Sequence, residues 1–186
     1  MTVKSMRPGF RGRIISVDVE TVTLPNGATA EMEVIRHPGG AAVAAVNERG
    51  EICLLRQYRH ALGRWLWELP AGKLDRADED PLVCARRELE EETGLLAADW
   101  QPLGGVISSP GVFTEVVHLY LATALSQGQA RPEEAEVFEV VWLPLAEAVR
   151  RAENGEIEDA KTLAGIWRAS ARLQRSQCEA DRITAQ

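Results

Sequence analysis

The chain has 186 residues, 45% of them hydrophobic and 26% charged, a balance that excludes an intrinsically disordered polypeptide and suits one domain with a small appendage. Its formal charge of -7 argues against a broadly basic surface for nucleic acid or an anionic membrane, although a bound metal ion can bring anionic nucleotides to an acidic protein. Cys53, Cys84 and Cys178 are odd in number and far apart, which reads as free thiols; with no signal peptide in Met1–Arg13 and no apolar run of about 18 residues, a cytoplasmic protein is expected.

In chain order, residues 10–37 alternate in the manner of strands, with Leu24-Pro25-Asn26-Gly27 as a turn and His37-Pro38-Gly39-Gly40 as a break. Residues 1–38 are therefore expected to form a small antiparallel β unit. A sheet of two or three strands is barely stable alone, so this unit needs a partner surface. Ala41–Val46 and Glu51–Tyr58 are apolar runs joined by a hairpin-like turn, Asn47-Glu48-Arg49-Gly50. Trp65–Leu69 reads as a short strand ended by Pro70, and Ala71-Gly72 as a loop. Asp80 as N-cap, Pro81 at the first helical position and Gly94 as a stop predict a helix over Pro81–Thr93.

Strands are then expected near Leu103–Ile107, Val116–Ala122 and Val137–Leu143. Pro144 opens a helix that ends near Asn154-Gly155. A last helix starts at about Asp159 and passes into a polar tail, Arg175–Gln186, that frays. Residues 39–186 thus form the main domain, and the mixture of strands and helices predicts an α+β layered architecture.

The mid-chain helix breaks a local rule. Leu82, Ala85 and Leu89 share one stripe, while Glu88, Glu91 and Glu92 fall on an adjacent face at i, i+3 and i+4. Carboxylates at this end oppose the helix dipole by a few tenths to about 1 kcal/mol each, and they repel one another. Taken alone, the helix fits two readings. One is a solvated acidic face. The other is a divalent-metal site, in which hard oxygen ligands suit Mg²⁺ or Mn²⁺ and the cation cancels the repulsion. Arg87, four residues before Glu91, is placed to pin that carboxylate.

The string Arg87-Glu88-Leu89-Glu90-Glu91-Glu92-Thr93-Gly94-Leu95, with Gly72 and Glu79 upstream, resembles the box of the Nudix hydrolase superfamily. Glu79 and Arg87 have the family's seven intervening residues; Gly72 and Glu79 have six where the pattern has five, read as a one-residue insertion in Arg76-Ala77-Asp78. Arg56-Gln57-Tyr58-Arg59, Trp67–Leu74, Ser109-Pro110-Gly111 and Pro132–Trp142 are similar to the ADP-ribose pyrophosphatase subfamily, and parts of them are shared with relatives acting on GDP-mannose.

The resemblance implies a Nudix fold, an α/β/α sandwich with a mixed sheet between helices. It also implies Mg²⁺-dependent hydrolysis of ADP-ribose to AMP and ribose 5-phosphate, with Mn²⁺ as the alternative ion. It further implies metal ligation by Glu88, Glu91, Glu92, Glu136 and the Ala71 carbonyl, with Arg87 orienting a helical glutamate. Glu134 is implied as general base. Arg56, Glu68 and Glu115 are implied at the phosphates, the base and the ribose. Tyr58, Trp65 and Trp67 are left between adenine stacking and core packing. His37, His60 and His118 lack metal-ligand spacing and receive no role. In the subfamily that the chain resembles, the N-terminal unit mediates a homodimer, so a homodimer is expected here. The rivals are a hydrolase of another nucleotide sugar such as GDP-mannose, a non-catalytic nucleotide-binding regulator, and a structural acidic protein.

Overall fold

The computed structural model describes residues 2–75, 78–132 and 136–184. The chain opens with three strands, β1 (Thr2–Arg11), β2 (Ser16–Thr23) and β3 (Thr29–Arg36), in one antiparallel sheet of order β1-β2-β3. The Asn-Gly turn lies where the sequence places it: Gly27 takes a φ of 85° and its N–H donates to the Leu24 carbonyl at 2.9 Å. The alternation reading finds β2 and β3 and passes over β1. Every residue of β1 is exposed, so neither face carries a hydrophobic period. Pro8 is tolerated because β1 is an edge strand, and the register shifts beside it.

The main domain follows as β4 (Gly40–Ala45), β5 (Glu51–Arg59), β6 (Arg64–Glu68), β7 (Ala71–Lys73), α1 (Pro81–Thr93), β8 (Leu95–Ile107), β9 (Val116–Gln127), β10 (Phe138–Pro144), α2 (Leu145–Glu153) and α3 (Ala160–Thr184). One sheet runs β7-β4-β9-β8 and is mixed, since β4 and β9 are parallel and the other pairs antiparallel. A second, antiparallel sheet runs β10-β5-β6.

Strand β4 explains the layering. All six residues are buried, so the strand reads as a continuous small-apolar run. Ala42 and Ala44 enter one core with Leu54, Leu119, Leu121 and Ile166 on the α2/α3 side. Ala41, Val43 and Ala45 enter another with Cys84, Ala85 and Leu89 of α1. The sheet thus lies between helices, as the α/β/α expectation requires. Helix α1 has the bounds its caps predict: Asp80 accepts the Leu82 N–H at 2.8 Å, and Gly94 sits at φ 70° with its N–H on the Glu90 carbonyl.

Two expectations need correction. Ala71–Lys73 is not a loop but strand β7, paired with Gly40–Ala42 of β4. Three residues, one of them glycine, are too few to show a period. The polar stretch from Arg175 does not end the last helix; α3 continues to Thr184. Its Gln, Glu, Ala and Arg residues are good helix formers, and no Gly or Pro interrupts them.

Candidate active site

Strand β7 runs along α1, and this brings the helical glutamates against a backbone without side chains in the way. Glu88 and Glu92 are only 8% and 2% exposed, which removes the solvated-face reading for both. The Ala71 N–H donates to Glu92 Oε2 at 2.9 Å, while Glu92 Oε1 is buried and has no hydrogen-bond partner among the described residues. Burial pushes the Glu92 carboxyl up to about 9; the Ala71 N–H opposes this, and Glu88 and Glu136 add repulsion. Glu88 is also raised, by burial first, against the pull of Arg87. Gly72 makes the approach sterically feasible: a Cβ there would stand 2.0 Å from Glu88 Oε1.

Arg87 organises the rest of the helix face. Its Nη1 donates to Glu88 Oε1 at 2.6 Å and to Glu91 Oε2 at 3.1 Å, and its Nη2 to the Lys73 carbonyl at 3.2 Å. Glu79 lies 3.9 Å from Arg87 Nη2 and accepts the Asp75 N–H at 2.6 Å, so the longer spacing from Gly72 still leaves Glu79 beside Arg87. Arg76 and Ala77 of the inserted stretch lie outside the described residues.

Among the described residues no three Asp, Glu, His or Cys side chains are gathered closely enough to enclose an ion. Arg87 stands between Glu88 and Glu91 and neutralises both instead. The donor set nevertheless fits a hard divalent cation. It offers carboxylate oxygens, and one of them is buried with no hydrogen-bond partner among the described residues.

Beside this donor set lies a cleft of about 640 Å³. Ala71, Arg87, Glu88 and Glu91 form one side, and Glu136 and Glu115 also line it. Glu134 lies outside the described residues. Glu115 comes from the segment between β8 and β9, accepts a hydrogen bond from the Ser108 hydroxyl, and lies 3.3 Å from His37 Nδ1. Glu68 is 1% exposed and clamped: Arg59 donates to it at 2.6 and 2.7 Å, and Lys161 at 2.5 Å. Burial alone would raise the Glu68 carboxyl, but Arg59 and Lys161 outweigh it and hold the group down at about 2.

Arg56 stands apart from the cleft. Its guanidinium lies 6.0 Å from the rings of both Trp65 and Trp67. Tyr58 meets Trp65 edge-on with centroids 5.9 Å apart, while Trp67 also packs against the α2/α3 core. Strand parity explains this. Arg56 pairs with Trp67 and Tyr58 with Trp65 on one face, so Gln57 and Arg59 take the other and line the cleft. Arg59, Lys161 and Arg131 are among the cleft cations that sequence reasoning does not single out, as are Arg13 and Lys73. For Arg59 the only signal is its place in the Arg56-Gln57-Tyr58-Arg59 stretch, since Leu54 and Leu55 are both fully buried and parity alone does not choose between the two arginines. For Lys161 and Arg131 there is none, since tertiary packing alone brings them in. The Arg131 N–H bonds the Glu91 carbonyl at 2.8 Å and straps the post-β9 segment to the end of α1.

Comparison with known proteins identifies the family. The model of the NUDIX domain matches residues 36–165. The ADP-ribose pyrophosphatase of Mycobacterium tuberculosis (strain ATCC 25618 / H37Rv) is 43% identical over 158 residues, covering 83% of this chain and 76% of that protein. That of Bacillus subtilis (strain 168) is 42% identical over 159 residues, 84% of this chain and 85% of its own. The GDP-mannose pyrophosphatase of Cronobacter sakazakii (strain ATCC BAA-894) is 35% identical over 148 residues, 70% of this chain and 76% of that protein. A solved ADP compounds hydrolase superposes with a TM-score of 0.81, covering 94% of this chain and 95% of its own at 23% identity, which speaks to fold. With buried helical glutamates, a bare glycine beneath them and a family match across most of its length, this chain belongs to the NUDIX family.

Proposed function

We propose that this chain hydrolyses the diphosphate of ADP-ribose to AMP and ribose 5-phosphate with Mg²⁺, for which Mn²⁺ substitutes. The observation that carries the reading is Glu92, a buried carboxylate with one oxygen on the Ala71 N–H and the other without a partner among the described residues. Glu88, Glu91, Glu92, Glu136 and the Ala71 carbonyl would hold divalent ions. When bound, such ions neutralise the phosphate oxygens and lower the pKa of water. Arg87 keeps Glu88 and Glu91 in register. Arg59, Lys161 and Arg131 supply N–H donors for diphosphate oxygens on the cleft wall.

A carboxylate must then take the proton of the attacking water, and Glu134, two residues before Glu136, is assigned that role. Glu134→Gln and Glu136→Gln are each expected to lower kcat by tenfold or more, about 1.4 kcal/mol. If neither does in single-turnover assays, the loop carries no base.

Greater identity to the two ADP-ribose pyrophosphatases than to the GDP-mannose pyrophosphatase supports ADP-ribose over GDP-mannose. The decisive experiment is product analysis on a panel of nucleotide sugars with Mg²⁺ in heavy-oxygen water. The expected result is the highest kcat/KM for ADP-ribose, with label in one phosphate product that identifies the attacked phosphorus. A preference for GDP-mannose would support the second reading. ADP-ribose that binds but stays uncleaved in excess metal would overturn hydrolysis altogether.

We also assign residues 1–38 to a homodimer contact. Strand β1 leaves one edge unpaired and exposes Val3, Met6 and Phe10 at 49%, 59% and 55%. Sedimentation is expected to show a dimer; a monodisperse monomer would remove the assignment.

A further inference from the structure

His37, to which its spacing assigns no role, sits in the cleft where the N-terminal sheet meets the segment between β8 and β9. The backbone holds it there. Ile35 N–H donates to the Val112 carbonyl at 2.7 Å, Thr114 N–H to the Ile35 carbonyl at 2.9 Å, and His37 N–H to Thr114 Oγ1 at 3.0 Å. The ring stands edge-on to Phe113, with centroids 5.4 Å apart.

Two groups compete for Nδ1. The Gly39 N–H donates to it at 3.1 Å, and Glu115 Oε1 lies 3.3 Å away. A ring nitrogen offers one in-plane position, either a lone pair or an N–H. A ring protonated only on Nε2 accepts from Gly39 and then faces Glu115 lone pair to lone pair. A ring with its proton on Nδ1 donates to Glu115 and holds it. The Ser108 hydroxyl engages the other carboxylate oxygen. A carboxylate repels a diphosphate but accepts readily from hydroxyls, and its two oxygens match a pair of neighbouring sugar hydroxyls.

We propose that His37 is a positioning residue for the sugar end of the substrate: donating from Nδ1, it holds the Glu115 carboxylate on the cleft wall, where Glu115 accepts the hydroxyls of the sugar attached to the diphosphate. This rests on the nucleotide-sugar reading above. His37→Leu is expected to raise KM for ADP-ribose about tenfold while kcat changes less than about threefold. Glu115→Gln should do the same, and the double variant should be no worse than either single, because both remove one interaction.

His37→Asn, whose amide can donate from near the Nδ1 position, should keep KM within about threefold of the parent. Inhibition by ADP, which lacks the distal sugar, should stay within about twofold in every variant. Additive KM effects in the double variant, or weaker inhibition by ADP that matches the rise in KM, would overturn the proposal. If thermal melting shows that His37→Leu does not fold, His37→Asn decides: a tenfold rise in KM in that variant rejects the role. A parent protein that cleaves no nucleotide sugar would instead defeat the activity on which this rests.

Discussion

Replacing Glu92 by glutamine is expected to lower kcat about 10³-fold, roughly 4 kcal/mol of barrier, and at the same time to make the metal-free protein more stable. The two effects share one cause. In the metal-free fold the carboxyl is 2% exposed, one oxygen lacks a partner among the described residues, and burial holds its pKa at about 9. The ordinary value is 4.5, so between about 4.5 and 9 the folded chain keeps a proton that the unfolded chain has lost. Folding stability without metal therefore falls as pH rises through that window. The substituted amide would carry no charge and could still accept the Ala71 N–H, so the slope should flatten. At mildly alkaline pH the metal-free variant should gain at least about 1 kcal/mol. It should also lose most of the thermal shift that Mg²⁺ produces in the parent, since an ion stabilises only the state it binds. A variant that is less stable without metal yet keeps the full Mg²⁺ shift would remove Glu92 from the ion site.

This double signature follows from a feature that the sequence shows only in part. Three glutamates at the wrong end of a helix are visible as a string, and so are the caps that set its bounds. Whether they are solvated is not visible, because a helical wheel does not show what packs over it. That depends on β7, whose three residues display no period and look like a loop. The same limit hides β1, whose exposed faces carry no hydrophobic signal. Arg56 and Arg59 belong to one stretch of sequence, but strand parity sends Arg56 to the tryptophans and Arg59 to the cleft. The apolar run of residues 52–55 is buried at both parities, so the two faces separate only in the fold. Equally hidden is the arrival of Lys161 from α3, distant in sequence and brought in only by packing.

That arrival makes Glu68 the second residue with a large expected effect. Lys161 bonds Glu68 and, at 3.0 Å, Asp159; Asp159 accepts the Thr162 N–H and hydroxyl at 3.0 and 2.6 Å; and Thr162 Oγ1 accepts the Leu69 N–H at 2.8 Å. The chain of bonds pins the start of α3 to Glu68, the last residue of β6, and to Leu69, two residues before the Ala71 N–H that positions Glu92. Removing one partner of a buried ion pair leaves the others uncompensated, although Arg59 is 41% exposed and water softens the penalty. Glu68→Gln is thus expected to cost about 2–3 kcal/mol, roughly 5–10 °C in Tm. The sign of its pH dependence is opposite to that of Glu92. The folded pKa, about 2, lies below the ordinary 4.5, so this stabilisation is complete above 4.5 and is lost as pH falls toward 2. The parent should melt progressively earlier across that acid range, and Glu68→Gln should show a flatter acid limb. An acid limb left where it was would remove the structural role, and a changed preference between ADP-ribose and GDP-mannose would show that Glu68 reads the nucleotide base, as the family resemblance implies.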